Sequence, residues 1–218
     1  MIWNLLYPKK CLLCEKILNK QEIDLCQSCR ESAESFPEVK NTLSFVAGWT
    51  AMWYYKENVR HGILRYKFYG KRNRGDSFGR LLAMHLLQCR YTDFDVLTWV
   101  PLSAAKLRKR GYDQVQQVGK AVSRELGQPL VPTLKKIRDT STQSTLETLD
   151  ARRANVLGAY VVTDPEAVKG KRILLLDDVI TTGATASECA KTLLLSGAKE
   201  VYCAAVAAIN PDKKHSNR

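Results

Sequence analysis

The stretch "RILLLDDVITTGATASE", residues 172 to 188, limits the folds open to this chain more than any other. Four aliphatic residues, Ile173 to Leu176, follow one another without polar alternation, the pattern of a strand buried on both faces inside a parallel sheet. The run stops at two acids and a threonine-rich turn, and "TASECAKTLLLSG" then reads as a helix. A buried strand, a tight turn and a helix in that order predict an α/β domain with helices on both faces of a doubly wound parallel sheet. Asp177 and Asp178 are expected to emerge at the strand's end as acceptors for vicinal hydroxyls, close to a hydrated Mg²⁺. Thr181, Thr182, Gly183, Ala184 and Thr185 then turn backbone N–H groups and hydroxyls inward at a helix start, which suits a phosphate. One half of the stretch fits a ribose and the other its 5′-phosphate. A capping box between Thr185 and Glu188 accounts for some of the threonines but not for the paired acids.

The rest of the chain alternates in keeping with that sheet. "SFVAGWTAMWYY" reads as a strand or hairpin, "NVRHGILRYKFYG" and "SFGRLLAMHLLQCR" as helices, and "DFDVLTWVP" as a strand stopped by Pro101. "YDQVQQVGKAVSREL" repeats apolar residues at helical spacing up to Gly127, and "GAYVV" and "EVYCAAVAAI" read as further strands. Ligands of such sheets sit at the carboxyl ends of the strands. "PLSAAKLRKRG", the long polar stretch "DTSTQSTLETLDARRAN" and the acid pair are therefore expected to meet at one site. With 218 residues, 45% of them hydrophobic, the chain has material for one sizeable core and a small appendage. No apolar run is long enough to span a bilayer, and "MIWNLLYPKK" places its apolar residues before its lysines, the reverse of a secretory signal. A cytoplasmic location is expected.

The appendage is written in cysteine. Cys11 and Cys14 form one C-x-x-C pair and Cys26 and Cys29 another, with eleven residues between the pairs, which suits two knuckles closing on one tetrahedral Zn²⁺. A redox reading of one pair leaves the second without a purpose. A ribbon this small folds on the metal's binding energy, so residues 1–35 are expected to form a separate structural zinc module ahead of a domain at 36–218. Cys89, Cys189 and Cys203 lie in apolar surroundings and read as core.

Residues 1–35 hold five Lys/Arg and five Asp/Glu, so the net charge of +12 lies beyond them. Part of it is concentrated in "RYKFYGKRNRGDSFGR", where Arg65, Lys67, Lys71, Arg72 and Arg74 alternate with Tyr66, Phe68 and Tyr69. Cations for phosphates and rings for bases suit single-stranded nucleic acid. A solvated helix face with Tyr66 and Tyr69 turned inward fits the same residues. A second basic run, "KLRKRG" at 106–111, follows a strand end.

Residues Ile173 to Thr185 resemble the phosphoribosyl pyrophosphate (PRPP) signature of type I phosphoribosyltransferases. The wider order resembles the ComF family of competence proteins over essentially the whole chain: a four-cysteine ribbon, then "ILRYKFYG", "VPLS", "RGYDQV", "TSTQSTL", "RRAN" and "LLLDDVITTGAT". The resemblance implies a zinc ribbon joined to a type I phosphoribosyltransferase-like domain. It implies a role in natural transformation, with incoming single-stranded DNA handled on the cytoplasmic side beside a ComFA-like helicase, and PRPP bound with Mg²⁺. By the same resemblance Ser103 faces pyrophosphate with Lys106 and Arg110 as charge partners, and the loop from about 139 to 153 serves as a lid. An active phosphoribosyltransferase of nucleotide salvage is the alternative. Its oxocarbenium-like transition state needs a neutralised leaving group, held ribose hydroxyls and excluded water.

Overall fold

In the computed structural model, residues 8–37, 43–70, 72–140 and 149–209 are described. A short helix, α1 (Gln27–Ser32), closes the cysteine-bearing segment. The rest runs β1 (Gly48–Tyr54), α2 (Glu57–Phe68), α3 (Arg74–Gln88), β2 (Val96–Trp99), α4 (Ala104–Arg110), α5 (Gln114–Leu126), β3 (Leu134–Lys136), α6 (Leu149–Val156), β4 (Tyr160–Val162), β5 (Arg172–Ile180), α7 (Ala184–Leu195) and β6 (Glu200–Ala208). β1, β6, β5 and β2 lie side by side in that order, and every pair is parallel.

The aliphatic run occupies the interior as its pattern requires. Ile173 to Leu176 are fully buried, and alternate residues enter opposite cores. Leu174 and Leu176 join Ile63, Tyr66, Phe78, Leu82 and Val118, from α2, α3 and α5. Ile173 and Leu175 join Cys189, Ala190 and Leu193 of α7 together with Leu134 and Tyr160 of the β3–β4 pair. A strand flanked on both sides by sheet partners and on both faces by cores has no position for a polar residue until one of those neighbours stops.

Two expectations are corrected here. "GAYVV" gives no strand of the main sheet: β4 pairs antiparallel with β3 in a separate two-stranded sheet. The acids do not lie past the end of their strand, because β5 continues to Ile180 with β6 supplying partners as far as Ala208. The neighbour that stops is β2. Its ladder ends at Trp99 opposite Leu176, Val100 N–H makes a last bond to Leu176 O, and Pro101 has no N–H to continue. From Asp177 onward β5 therefore has no ladder partner on its β2 side, and this is the position at the carboxyl end of the sheet where crevices of such sheets take their ligands.

The ribbon packs directly against the helices that follow it. Leu12 and Leu13 are buried in the same hydrophobic cluster as α2 and α3. At Gly62 of α2 a Cβ would stand 2.8 Å from Leu13 Cδ2, so only glycine lets the ribbon come this close. Cys189 and Cys203 are buried as expected, whereas Cys89 is only partly so.

Candidate functional site

The four ribbon cysteines converge. Their sulfurs all lie within 4.8 Å of one another, with Cys14 and Cys26 Sγ 3.6 Å apart. Tetrahedral Zn²⁺ with Zn–S bonds of about 2.3 Å needs sulfurs about 3.8 Å apart, so this donor set fits the ion. Backbone N–H groups outweigh burial at Cys11 and bring its thiol down to about 7, whereas burial pushes Cys14 and Cys29 up, so the fit to the ion rests on the sulfur geometry. Four sulfurs complete a tetrahedron and leave no position for a substrate. The zinc is structural.

In the crevice the two acids differ in their surroundings. Asp178 is nearly buried and both of its oxygens are engaged: Oδ1 accepts from Lys67 Nζ at 2.7 Å and Oδ2 from Gln114 Nε2 at 2.6 Å. Arg110 in turn donates to Gln114 Oε1. Asp177 is partly exposed, and its Oδ1 accepts the Asp178 N–H at 2.7 Å. Desolvation, followed by repulsion from Asp178, holds the Asp177 carboxyl well above the usual carboxylate range.

The turn after β5 is built around Gly183. Gly183 adopts φ 74° at the start of α7, a backbone that favours glycine, and a Cβ there would have to displace the Leu43 side chain, 2.0 Å away at Cδ2. Ala184 N–H donates to Thr182 Oγ1 at 3.4 Å, and Thr181, Thr182 and Thr185 are each partly exposed. The capping-box alternative loses its acid, since Glu188 Oε1 accepts from Gly158 N–H at 2.7 Å.

Opposite the acids, Ser103 is buried as the N-cap of α4, its Oγ accepting from Lys106 N–H. Lys106 Nζ reaches Thr140 O at 3.4 Å, which brings α4 and the start of the long polar loop together. Residues 141–148 of the expected lid lie outside the described residues, and its later part is helix α6. Arg110 is turned to Gln114 and stacks over the Phe68 ring at 5.0 Å. Asp113 serves the scaffold: it caps α5 through Val115 and Gln116 N–H and holds Leu102 N–H and Trp99 Nε1.

Lys136 was missed by the sequence reading. Its Nζ donates to Thr140 Oγ1 at 2.7 Å, on the residue Lys106 also reaches. Burial first and the Lys106 charge second bring its ammonium down to about 8. Its signal was its phase, because Lys136 shares the inward face of β3 with Leu134. A lysine in an apolar phase, facing another lysine, fits an anion.

The basic run at 65–80 mostly turns inward. Arg65 donates to Leu13 O and pairs with Glu15, Arg74 pairs with Glu15 at 2.6 Å and donates to Leu12 O, and Arg80 pairs with Asp24. Lys67 belongs to Asp178. Arg65, Lys67 and Arg74, expected on DNA, thus hold the ribbon and the crevice. Arg72 is exposed, and Lys71 lies outside the described residues. Tyr66 is buried in the core, as the solvated-face alternative has it, while Tyr69 stays exposed against that reading.

Residues 116–218 match a family model described as a phosphoribosyl transferase domain, and residues 2–39 one described as a double zinc ribbon domain. Competence protein F of Haemophilus influenzae is 28% identical over 215 residues, 88% of this chain and 93% of that protein. Competence protein ComFC of Streptococcus pneumoniae is 26% identical over 226 residues, 88% and 96% of the two chains. DNA utilization protein YhgH of Escherichia coli O157:H7 is 32% identical over 148 residues, 65% of this chain and 64% of that one.

Proposed function

We propose, from the premise that this is a ComF-family chain joining a zinc ribbon to a type I phosphoribosyltransferase domain, that it handles incoming single-stranded DNA during natural transformation. In this reading the protein works on the cytoplasmic side beside a ComFA-like helicase and carries a PRPP site with Mg²⁺. The observation that supports the ligand half is that β5 carries Asp177 and Asp178 directly ahead of the glycine-started turn into α7, while Lys106 and Lys136 both reach Thr140 and Lys136 feels the Asp177 charge. Asp177 holds the ribose hydroxyls and the α7 start the 5′-phosphate, while Lys106 and Lys136 take the diphosphate. Mg²⁺, when bound, would supply positive charge that offsets the diphosphate. Asp178 keeps Lys67 and Gln114 in place at the crevice wall. Among the described residues no helix is long and apolar enough to cross a membrane.

The cellular test separates DNA held outside the cell from DNA internalised. Cells lacking the protein should bind and take up labelled DNA but yield few transformants, and normal transformant numbers would overturn the role. The ligand test uses the depressed Lys136. Between pH 7 and pH 9 its ammonium goes from mostly charged to mostly neutral, since it titrates at about 8. Wild-type affinity for PRPP should therefore fall about tenfold more over that interval than that of Lys136→Ala. Calorimetry with Mg²⁺ at both pH values reads the difference, and parallel curves would remove Lys136 from the site.

A further inference from the structure

The structure brings together two basic runs that lie far apart in sequence, and it leaves two large rings in water where they meet. α2 ends at Phe68, and Tyr69 leaves helical geometry with φ −113° and ψ 28°. Tyr69 therefore cannot follow Tyr66 into the core, and Gly70, at φ 66°, turns the chain away. Phe68 is 64% exposed and Tyr69 70%. Two adjacent exposed rings offer a flat apolar face that the singly exposed side chains elsewhere on the chain do not.

Arg110, the last residue of α4, lies over the Phe68 ring at 5.0 Å. α4 buries none of its residues, and Arg108 and Lys109 are exposed. Among the described residues neither has a carboxylate within ion-pair reach. Cations in the last turn of a helix are favoured by its dipole, but the dipole gives no reason for exposed aromatic residues beside them. Arg72, just past the α2 turn, is exposed as well. Through Gln114, Arg110 is joined to Asp178, so this patch forms a rim of the crevice.

We infer that Phe68 and Tyr69 form a stacking platform for the bases of single-stranded nucleic acid, with Arg72, Arg108, Lys109 and Arg110 taking its phosphates beside the crevice. Rings for base faces with cations for the backbone is the combination that binds single strands without reading sequence. An acidic peptide would use the cations and leave the rings idle. The inference rests on the single-stranded DNA reading above and adds the surface, which keeps Phe68, Tyr69 and Arg72 of the stretch first expected to carry it and exchanges that stretch's inward-turned cations for Arg108, Lys109 and Arg110. It also sets the strand next to the candidate PRPP site.

The experiment measures binding of a labelled oligothymidylate by anisotropy over a range of salt. Phe68→Ala with Tyr69→Ala should weaken binding about tenfold or more at every salt concentration and leave the salt slope alone. Arg108→Ala with Lys109→Ala should instead lower the slope by about 1.4, at about 0.7 per phosphate contact. Zinc content and PRPP binding should stay at wild-type values in both variants. A wild type that binds while both variants bind equally well would place the strand elsewhere and overturn the surface, leaving the DNA reading intact. A ring variant with wild-type affinity, in a protein whose oligothymidylate is displaced by polyglutamate, would show recognition of charge alone and overturn the platform. A wild type that fails to bind even at low salt would remove the DNA reading and the platform together.

Discussion

Cys26→Ser, purified without chelator, is expected to retain less than about a tenth of the wild-type zinc and to lose the fold of the ribbon. Cys26 is buried at the start of α1, and its sulfur stands 3.6 Å from that of Cys14. A serine hydroxyl supplies neither the soft thiolate nor its charge. Stand-alone zinc modules draw on the order of 10 kcal/mol from the metal. Here the effect spreads further, because the ribbon lies on α2 and α3. Leu12 and Leu13 are buried there, each contributing about 1.5–3 kcal/mol by burial, and Arg65 and Arg74 use ribbon carbonyls and Glu15 as partners. When the ribbon opens, two arginines lose their acceptors and an apolar face is exposed, so the whole protein should become less soluble as well as less stable. Metal analysis and limited proteolysis check this, with Cys89→Ser as the control that keeps its zinc. A Cys26→Ser protein with full zinc and an unshifted melting curve would end the assignment.

The sheet, the zinc site and the turn at 181–185 were legible in sequence because each depends on neighbours in the chain. Ile173–Leu176 announces a doubly buried strand, the cysteine spacing announces a metal, and Gly183 marks a turn whose backbone favours glycine. The basic run misled for a physical reason: charge in a sequence does not tell which side of a helix it occupies or what waits there. Arg65 and Arg74 meet Glu15 from a segment about 50 to 60 residues earlier, and Lys67 meets Asp178, 111 residues later. Such pairs follow from tertiary contacts that no local pattern contains. β4 was misplaced on the same account, since its partner is decided by where β3 arrives. Lys136 carried a local signal, its phase with Leu134, but a three-residue strand gives too few positions for the alternation to stand out.

The acid pair should separate into two phenotypes. Asp178→Ala leaves Lys67 Nζ and the Gln114 amide without their acceptor in a place where only 17% of the lysine side chain is exposed. Removing one partner of a mostly buried ion pair costs about 3 kcal/mol, so this variant should be markedly less stable as well as unable to bind PRPP. Asp177→Asn should lose PRPP binding too, yet be more stable than wild type near neutral pH. The unfolded Asp177 carboxyl releases its proton near pH 3.9, whereas desolvation and Asp178 make the folded one keep it to a higher pH. Between those points the native state holds a proton that the unfolded state has lost, so the wild type loses stability as pH climbs from about 4. An amide has no such proton. The advantage of Asp177→Asn should therefore be absent at pH 4 and full once the wild-type carboxyl has ionised. Denaturant midpoints at pH 4, 6 and 8 read the stability, and calorimetry with PRPP and Mg²⁺ reads the site. An Asp177→Asn protein that binds PRPP as wild type does, or whose stability tracks wild type at every pH, would show that this carboxyl is neither the ribose contact nor the strained group of the crevice.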